Sequence, residues 1–543
     1  MTIVLASSLF ASDRNSERKL SGPVYVPLDS WVYPAFRRLA AMGYAPDEEG
    51  LAAPWTRSEC VALLDEAEDI ASRHSTKVLE GLRNNEAVSL IRSLKREFSD
   101  DSEFSEQARI ESIYSRISQI SGSPLRDSFH FGQTFSNDFG RPYEAGTNAV
   151  AGFSAFANSS IFSGYFRGEY QEAAGRGPYP QNVQFLLGFE DGVPPRSGAI
   201  ASTRKFTTLE AYVGARLGIF DLTFGKQSLW WGPGQQSAFS FTDNAEPFYM
   251  MRIAQERPFV LPGPLRLFGH IRTQFLVGKL SGHQYPPHPW INANKITFQL
   301  TKNLEIGFER SAIFAGEGHP LTAGSFLNSL FSTSSTGGTA FASRSDPGDR
   351  RSGFDFQWRV PGLARFVTIY SDSFADDEPN PLASPHRSAW GPGIYLTQIP
   401  PIRRMDLRFE TYSTWLYRGD EGGQFFYWNN QYRDGYTNNG YILGSSVGRD
   451  ARAYIASSNY WWSAQNKLGV TFRQTKTGSE FLPGGGTQTD VAVNGRFQVR
   501  PDLSTEATVQ FERYFIPVLG RPETNVSFGL QIMFSPRDLG FKR

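Results

Sequence analysis

One stretch of this 543-residue sequence concentrates the side chains able to do recognition chemistry. Residues 415–440 read W-L-Y-R-G-D-E-G-G-Q-F-F-Y-W-N-N-Q-Y-R-D-G-Y-T-N-N-G. Flat rings there can stack on the C–H face of a pyranose, while Asn, Asp and Arg bond its hydroxyls or carboxylates. On that reasoning Trp428, Tyr432, Arg433, Asp434 and Tyr436 are candidate saccharide-binding residues. The same residues also read as an aromatic girdle with a self-packed loop.

A second stretch, Gly225–Phe248, contains Trp230-Trp231-Gly232-Pro233-Gly234. Pro233 cannot donate to a strand ladder and the flanking glycines allow a sharp change of direction, so a turn is expected. Adjacent tryptophans at a turn suit a membrane interface, a sugar-binding floor or a buried corner. Amphipathic strands on both sides favour a structural turn at a barrel rim, with the two rings as interface aromatics. Asp243 and Asn244, which follow, are candidate polar contacts reaching the lumen or the surface. A shorter echo, Trp390-Gly391-Pro392-Gly393, is expected to be a similar corner.

Other chemistry finds no support. Gly444-Ser445-Ser446-Val447-Gly448 has the spacing of a nucleophile elbow, but no His follows His386 and no helical pattern follows Gly448. His283 and His288 lie in a Pro-rich loop without helical spacing to aim them at one metal. Gly484-Gly485-Gly486 reads as a hairpin turn with no helix to receive a phosphate. The carboxylates are too evenly spread to single out an acid/base couple. No catalytic residue, metal site or cofactor is expected. Cys60 is the single cysteine, which excludes an intrachain disulfide. Zero net charge gives no footprint for nucleic acid. The basic residues are 43 Arg against 11 Lys, a bias toward planar donors that grip carboxylates.

The elements that must position these residues change period along the chain. From Ser128 to Phe534 apolar residues recur every second position. Leu503, Thr505, Ala507, Val509 and Phe511 alternate with Ser504, Glu506, Thr508 and Gln510, and Met405, Leu407 and Phe409 alternate with Arg404, Asp406, Arg408 and Glu410. Each run makes a strand with one apolar and one polar face. A soluble sandwich would bury the apolar face, whereas an outer-membrane barrel turns it to lipid. Mixed charge on the polar faces, runs of crossing length and a last strand ending on Phe534 favour the barrel. Sixteen to eighteen antiparallel strands are expected, eighteen favoured, over residues 128–543. Tight turns such as Lys302-Asn303 and Arg500-Pro501-Asp502 alternate with long excursions at 312–351 and 415–440.

Residues 24–127 read instead as a small helical domain. Asp29 is positioned to cap a first helix ending at Gly43, and Thr56 with Glu59 has capping-box spacing before a second. A third helix is expected over Thr76–Phe98. Residues 1–23 read as a truncated secretory signal or a disordered start. Trp31, Pro34, Leu39, Gly43 and Thr56-Arg57-Ser58-Glu59 with Leu63-Leu64 resemble an S-layer homology module. That resemblance implies a tether to peptidoglycan or a cell-wall polymer through residues 24–70; the alternative is a helical bundle that packs beside the barrel and binds nothing.

The chain as a whole resembles the capsule assembly Wzi family of Gram-negative outer membranes. The matching residues are G-K-Q-S-L-W-W-G-P-G at Gly225–Gly234, T-D-N-A-E-P-F at Thr242–Phe248, the Trp390–Gly393 echo and Y-R-D-G-Y-T-N-N-G-Y-I-L-G at Tyr432–Gly444. The resemblance implies an eighteen-stranded barrel with an N-terminal helical portion on the periplasmic side. It also implies a non-catalytic, lectin-like protein that assembles or attaches capsular or extracellular polysaccharide. A porin-type channel held to the wall by its helical module is the alternative expectation.

Overall fold

The alternating runs become eighteen antiparallel strands closed into one barrel. The structure is a computed structural model describing residues 22–46, 49–74, 81–103, 106–332, 343–378, 380–416, 422–536 and 539–542. The strands are β1 (Gln107–Ile120), β2 (Gly146–Ser159), β3 (Phe162–Ala173), β4 (Thr203–Leu217), β5 (Phe220–Gln227) and β6 (Phe248–Gln255). Next come β7 (His270–Lys279), β8 (Trp290–Thr301), β9 (Leu304–Phe314), β10 (Asp349–Arg359), β11 (Val367–Asp376) and β12 (Ser388–Leu396). The last six are β13 (Leu407–Ser413), β14 (Ala451–Trp461), β15 (Lys467–Thr477), β16 (Gly486–Arg500), β17 (Leu503–Phe515) and β18 (Glu523–Phe534). β18 closes on β1, with Phe534 opposite Ile113. The expected turns at Lys302-Asn303 and at Pro501-Asp502 are present, joining Thr301 to Leu304 and Arg500 to Leu503.

Side-chain alternation separates membrane barrel from sandwich. Val509 and Phe511 on β17 are about half exposed on the outside, while Gln510 and Glu512 point in and are buried. Phe409 faces out and Arg408 and Glu410 face in. An outer surface of Phe, Val, Leu and Ile is stable only against hydrocarbon, and a polar interior suits a lumen.

The barrel starts earlier than expected, because residues 107–120 form β1 rather than the end of a helical domain. Ile110, Ile113, Ile117 and Ile120 recur at intervals of three and four and imitate a helical stripe. In the strand, a register shift between Ile110 and Ser112 accounts for the first of these intervals only, and Ile120 falls on the face opposite to Ile117. Ile113 and Ile117 face out, whereas Tyr114 and Ile120 face in.

The N-terminal segment fills the short-turn end of the lumen. Its helices are α1 (Val32–Ala41), α2 (Arg57–His74), α3 (Gly81–Glu97) and α4 (Ser99–Glu103). Phe36, Trp55, Leu64, Leu90 and Phe98 form their shared core. Thr56 and Glu59 do form a capping box: the Glu59 amide donates to Thr56 Oγ1 at 3.1 Å and the Thr56 amide to Glu59 Oε2 at 2.5 Å. Gly43 ends α1 at φ +85°. Asp29 does not cap α1; it accepts from Arg167 on β3 at 2.7 Å, because the lumen offers a guanidinium where water would otherwise be. The expected third helix starts at Gly81 among the described residues, and both 75–80 and the expected leader up to residue 21 lie outside them.

Contacts from many strands lock this plug. Arg38 donates to the Thr397 carbonyl at 2.7 Å, and Arg359 to that of Ala40 at 2.9 Å. Arg272 meets Glu49 and Glu59 at 3.2 and 3.1 Å, and Arg216 donates to Ser58 at 3.0 Å. Arg57 binds Asp101 at 2.8 Å. Three of the four residues in the Thr56–Glu59 stretch are therefore spent on partners inside the molecule beyond their own cap.

The tryptophan pair lies inside the molecule, away from the lipid interface. After β5 the chain turns into the lumen, and Trp230 and Trp231 pair with Ala53 and Ala52 of the N-terminal segment. Both rings are buried, since burial in the lumen removes their apolar area from water as well as lipid would. The Trp390–Gly393 echo is not a corner either. It lies within β12, where an added Cβ at Gly391 or Gly393 would reach 2.7 Å from the Tyr412 ring or 2.2 Å from that of Tyr370. The glycines admit those inward tyrosines, and Pro392 sits on the outer face. Two polar cavities of about 320 and 450 Å³ remain beside the β15–β17 wall, and Asn137, Thr471, Asn494 and Thr508 line both.

Candidate functional site

At the long-loop end, residues 121–145, 174–202 and 422–450 converge. The first carries a small hairpin pairing Arg126-Asp127 with Gly132-Gln133. The second carries α5 (Gln181–Asp191), which begins after Pro180 and ends on left-handed Gly192. Val183 and Leu187 of α5 pack on Leu125, Phe131, Phe481 and Leu482, fixing the helix over the barrel mouth.

His130 joins the first two loops. Its Nδ1 lies 2.8 Å from Asp127 and its Nε2 2.9 Å from Asp191. Burial alone would lower the imidazole's basicity, but Asp127 and Asp191 reverse this and lift its pKa to about 10. Burial pushes the Asp191 carboxyl up; His130 and Arg449 outweigh it and bring it down to about 2. Arg449 donates to Asp191 at 2.7 Å and to the Gln424 carbonyl at 2.8 Å, so all three loops share one charge network. Its guanidinium lies over the rings of Phe129 and Phe481 at 4.6 and 4.3 Å.

The loops enclose a cavity of about 390 Å³, within the range of small-ligand sites. Arg126, Arg176 and Arg196 line it with Tyr179 and Tyr441. Arg196 pairs with Asp434 at 2.7 Å, and Arg176 donates to the Tyr179 hydroxyl at 2.9 Å. Arg126 Nε and Nη1 and Arg176 Nε are buried without a hydrogen-bond acceptor among the described residues. Arg126 approaches Glu144 only to 3.6 Å. Buried guanidinium donors are costly when unsatisfied. Both arginines line the cavity, where a carboxylate or hydroxyl oxygen would find a charged donor.

The seven residues expected to bind saccharide do not act together. Tyr432 and Tyr436 are fully buried. Tyr436 stacks on Tyr427 at 6.0 Å and donates to Ser311 at 3.2 Å, so neither face is available to a sugar. They are core because the loop folds down into the mouth of the barrel. Trp428 donates from Nε1 to the Asp191 carbonyl at 3.1 Å, and Arg433 to that of Gly192 at 2.5 Å. These two hold the end of α5 beside the cavity. Asp434 lines the cavity, accepting from Arg196 and from the Gln284 and Tyr285 amides. Asp243 and Asn244 lie deeper. Asp243 lines the 450 Å³ lumen cavity, and Asn244 donates to the Ile442 carbonyl at 3.0 Å. Arg126, His130, Arg176, Tyr179 and Arg196 escaped the sequence reading. They lie in two other loops, each with too few polar residues to stand out alone.

Ser445, of the elbow-like stretch, is buried and bonds the Ser237 hydroxyl at 2.8 Å. Among the described residues one acidic trio could hold a cation, Asp349, Asp376 and Asp377. Arg351 already bridges Asp349 and Asp376 there, the latter at 3.1 Å.

Comparison with known proteins agrees with this architecture. The solved structure of Wzi, an Escherichia coli outer-membrane protein involved in group 1 capsule assembly and a carbohydrate-binding β-barrel, superposes with a TM-score of 0.67. The superposition covers 95% of this chain and 99% of that one at 15% identity, and it shows the shared fold. OccAB3 of Acinetobacter baumannii gives a TM-score of 0.43 at 10% identity, over 81% and 99% of the two chains. A 55.8 kDa protein of unknown role from the cps region of Klebsiella pneumoniae is 29% identical over 189 residues. That match spans 34% of this chain and 36% of the relative's length. The profile of the family described as capsule assembly protein Wzi matches residues 116–526, from the first barrel strand to the last. The chain therefore belongs to the capsule assembly protein Wzi family.

Proposed function

We propose that this protein binds capsular or extracellular polysaccharide at the cell surface and helps to assemble or attach it, without catalysis. The barrel sits in the outer membrane with its long loops outside and the α1–α4 plug at the periplasmic end. The observation that carries this reading is the cluster of Arg126, Arg176 and Arg196 lining a cavity among the outer loops, with Nε and Nη1 of Arg126 and Nε of Arg176 lacking acceptors among the described residues. Tyr179 and Tyr441 supply ring surface beside them, and Asp434 with Arg196 supplies a further polar edge. Family membership and the carbohydrate-binding description of the Escherichia coli protein point the same way.

The test is capsule retention by cells carrying Arg126→Ala with Arg176→Ala. Losing charge-assisted bonds of this kind costs about 1.5–3 kcal/mol each, so cell-bound polysaccharide should fall by roughly tenfold or more while surface display is unchanged. Full retention at normal display rejects the site. A porin-type channel is the second reading, favoured by the polar cavities along β15–β17. Conductance in planar bilayers separates the two, since a large steady current belongs only to the channel.

A further inference from the structure

Near the long-loop rim, outward-facing side chains on β14–β17 bring like charges face to face on the lipid side of the barrel. Arg452 on β14 lies directly opposite Lys476 on β15, and both are exposed. Opposed residues carry their Cβ atoms about 5 Å apart, and like charges at that range repel. Near the same rim on β3 and β4, Glu172 opposes Arg204 and the pair is bridged at 2.5 Å. Arg513 on β17 also faces outward, opposite Thr489 on β16. Gln474 donates to that Thr489 at 3.3 Å, which places polar groups between the cations.

Arg452, Lys476 and Arg513 form no ion pair among the described residues. The Arg452 guanidinium lies 4.4 Å from the ring centroid of Trp415, an exposed aromatic of the kind that marks headgroup level. Immediately below, Tyr454, Phe472, Val491 and Phe511 present exposed apolar surface. Clustered positive charge at the upper edge of an apolar band is complementary to an anion itself anchored in hydrocarbon. Lys476 and Arg513 lie two strands apart and two residues out of register, roughly 12 Å, so the cluster offers two poles.

We propose that Arg452, Lys476 and Arg513 bind the headgroup phosphates of an outer-leaflet lipid whose acyl chains run along Tyr454, Phe472 and Val491. The leaflet rests on the outward placement of the long loops; the phosphate chemistry does not. The spacing of the two poles suits a headgroup with two phosphates, such as lipid A.

The full-length protein is placed in phosphatidylcholine nanodiscs containing lipid A with both phosphates or its dephosphorylated form, and retained lipid is counted by native mass spectrometry. Retention of the phosphorylated form is expected, falling on the order of a hundredfold in the triple variant Arg452→Gln, Lys476→Gln, Arg513→Gln. Arg204→Gln, at a paired rim cation, should change nothing, and Arg452→Lys should retain lipid. Heat-modifiable gel mobility confirms that each variant is folded. Equal retention of dephosphorylated lipid, or full retention by the folded triple variant, overturns the proposal. So does complete displacement by inorganic phosphate alone, which would mark a free-phosphate site. Loss of polysaccharide binding in the triple variant with lipid retention unchanged would assign the cluster to the polymer and overturn it as well.

Discussion

His130 serves two carboxylates from different loops, and its charge keeps those loops together. Its pKa is lifted from 6.5 to about 10, so its contribution to stability is complete below about pH 6.5 and is lost as pH rises toward 10. Asp191, held down at about 2, contributes above about pH 4 and loses its effect as pH falls toward 2. The three-loop clamp should therefore be tightest between about pH 4 and 6.5. Limited proteolysis of the outer loops across pH should show protection there and cleavage emerging toward pH 10, with the barrel intact. His130→Ala leaves Asp191 and Asp127 without this partner and should destabilise the clamp by about 3 kcal/mol, read as loop hydrogen exchange. Tyr436→Ala should cost about 3–5 kcal/mol as a core deletion, whereas a sugar-stacking role would predict lost polysaccharide binding at normal stability. Composition made the loop aromatics conspicuous, but it could not say which rings the fold would bury. Tyr432 and Tyr436 look the same in sequence as Trp428, yet they point into the barrel mouth.

Among the elements, local signals were legible wherever local physics decides the outcome. The Thr56–Glu59 capping box, the stop at Gly43, the two tight turns and the period-two strands are all present in the structure. β1 does not show as a strand in the sequence because its isoleucines recur at intervals of three and four, on both faces of the strand. The tryptophan motif was misplaced because its partner, Ala52-Ala53, lies more than 170 residues earlier in the chain, a pairing that no local pattern encodes. Its closeness to the strand wall nevertheless imposes a strict requirement just upstream. Gly225 has φ +142°, and an added Cβ would lie 2.1 Å from the Ala211 carbonyl oxygen. Gly225→Val should therefore break the β4–β5 ladder and abolish the heat-modifiable folded band. If the variant retains that band in full, the close approach described for Gly225 is wrong.

At the scale of the whole molecule, the inverted alternation makes a membrane barrel, and the plug and inward loops fill most of its lumen. Conductance should be near zero for the full chain and should rise when residues 22–103 are removed, provided the truncated barrel still folds. The barrel could be read from the sequence because strand after strand beyond β1 repeats the same two-residue signal. The candidate cavity could not, because it exists only where three loops separated by up to 300 residues meet. The central claim is non-catalytic polysaccharide binding at that cavity. The most direct measurement is calorimetric titration of the purified protein with the capsular polysaccharide of its own cells, followed by chromatography of the recovered polymer. Saturable binding that Arg126→Ala with Arg176→Ala abolishes, with the polymer recovered at its original length, is the result expected. Undiminished binding by that variant, or a shortened polymer, would contradict the account.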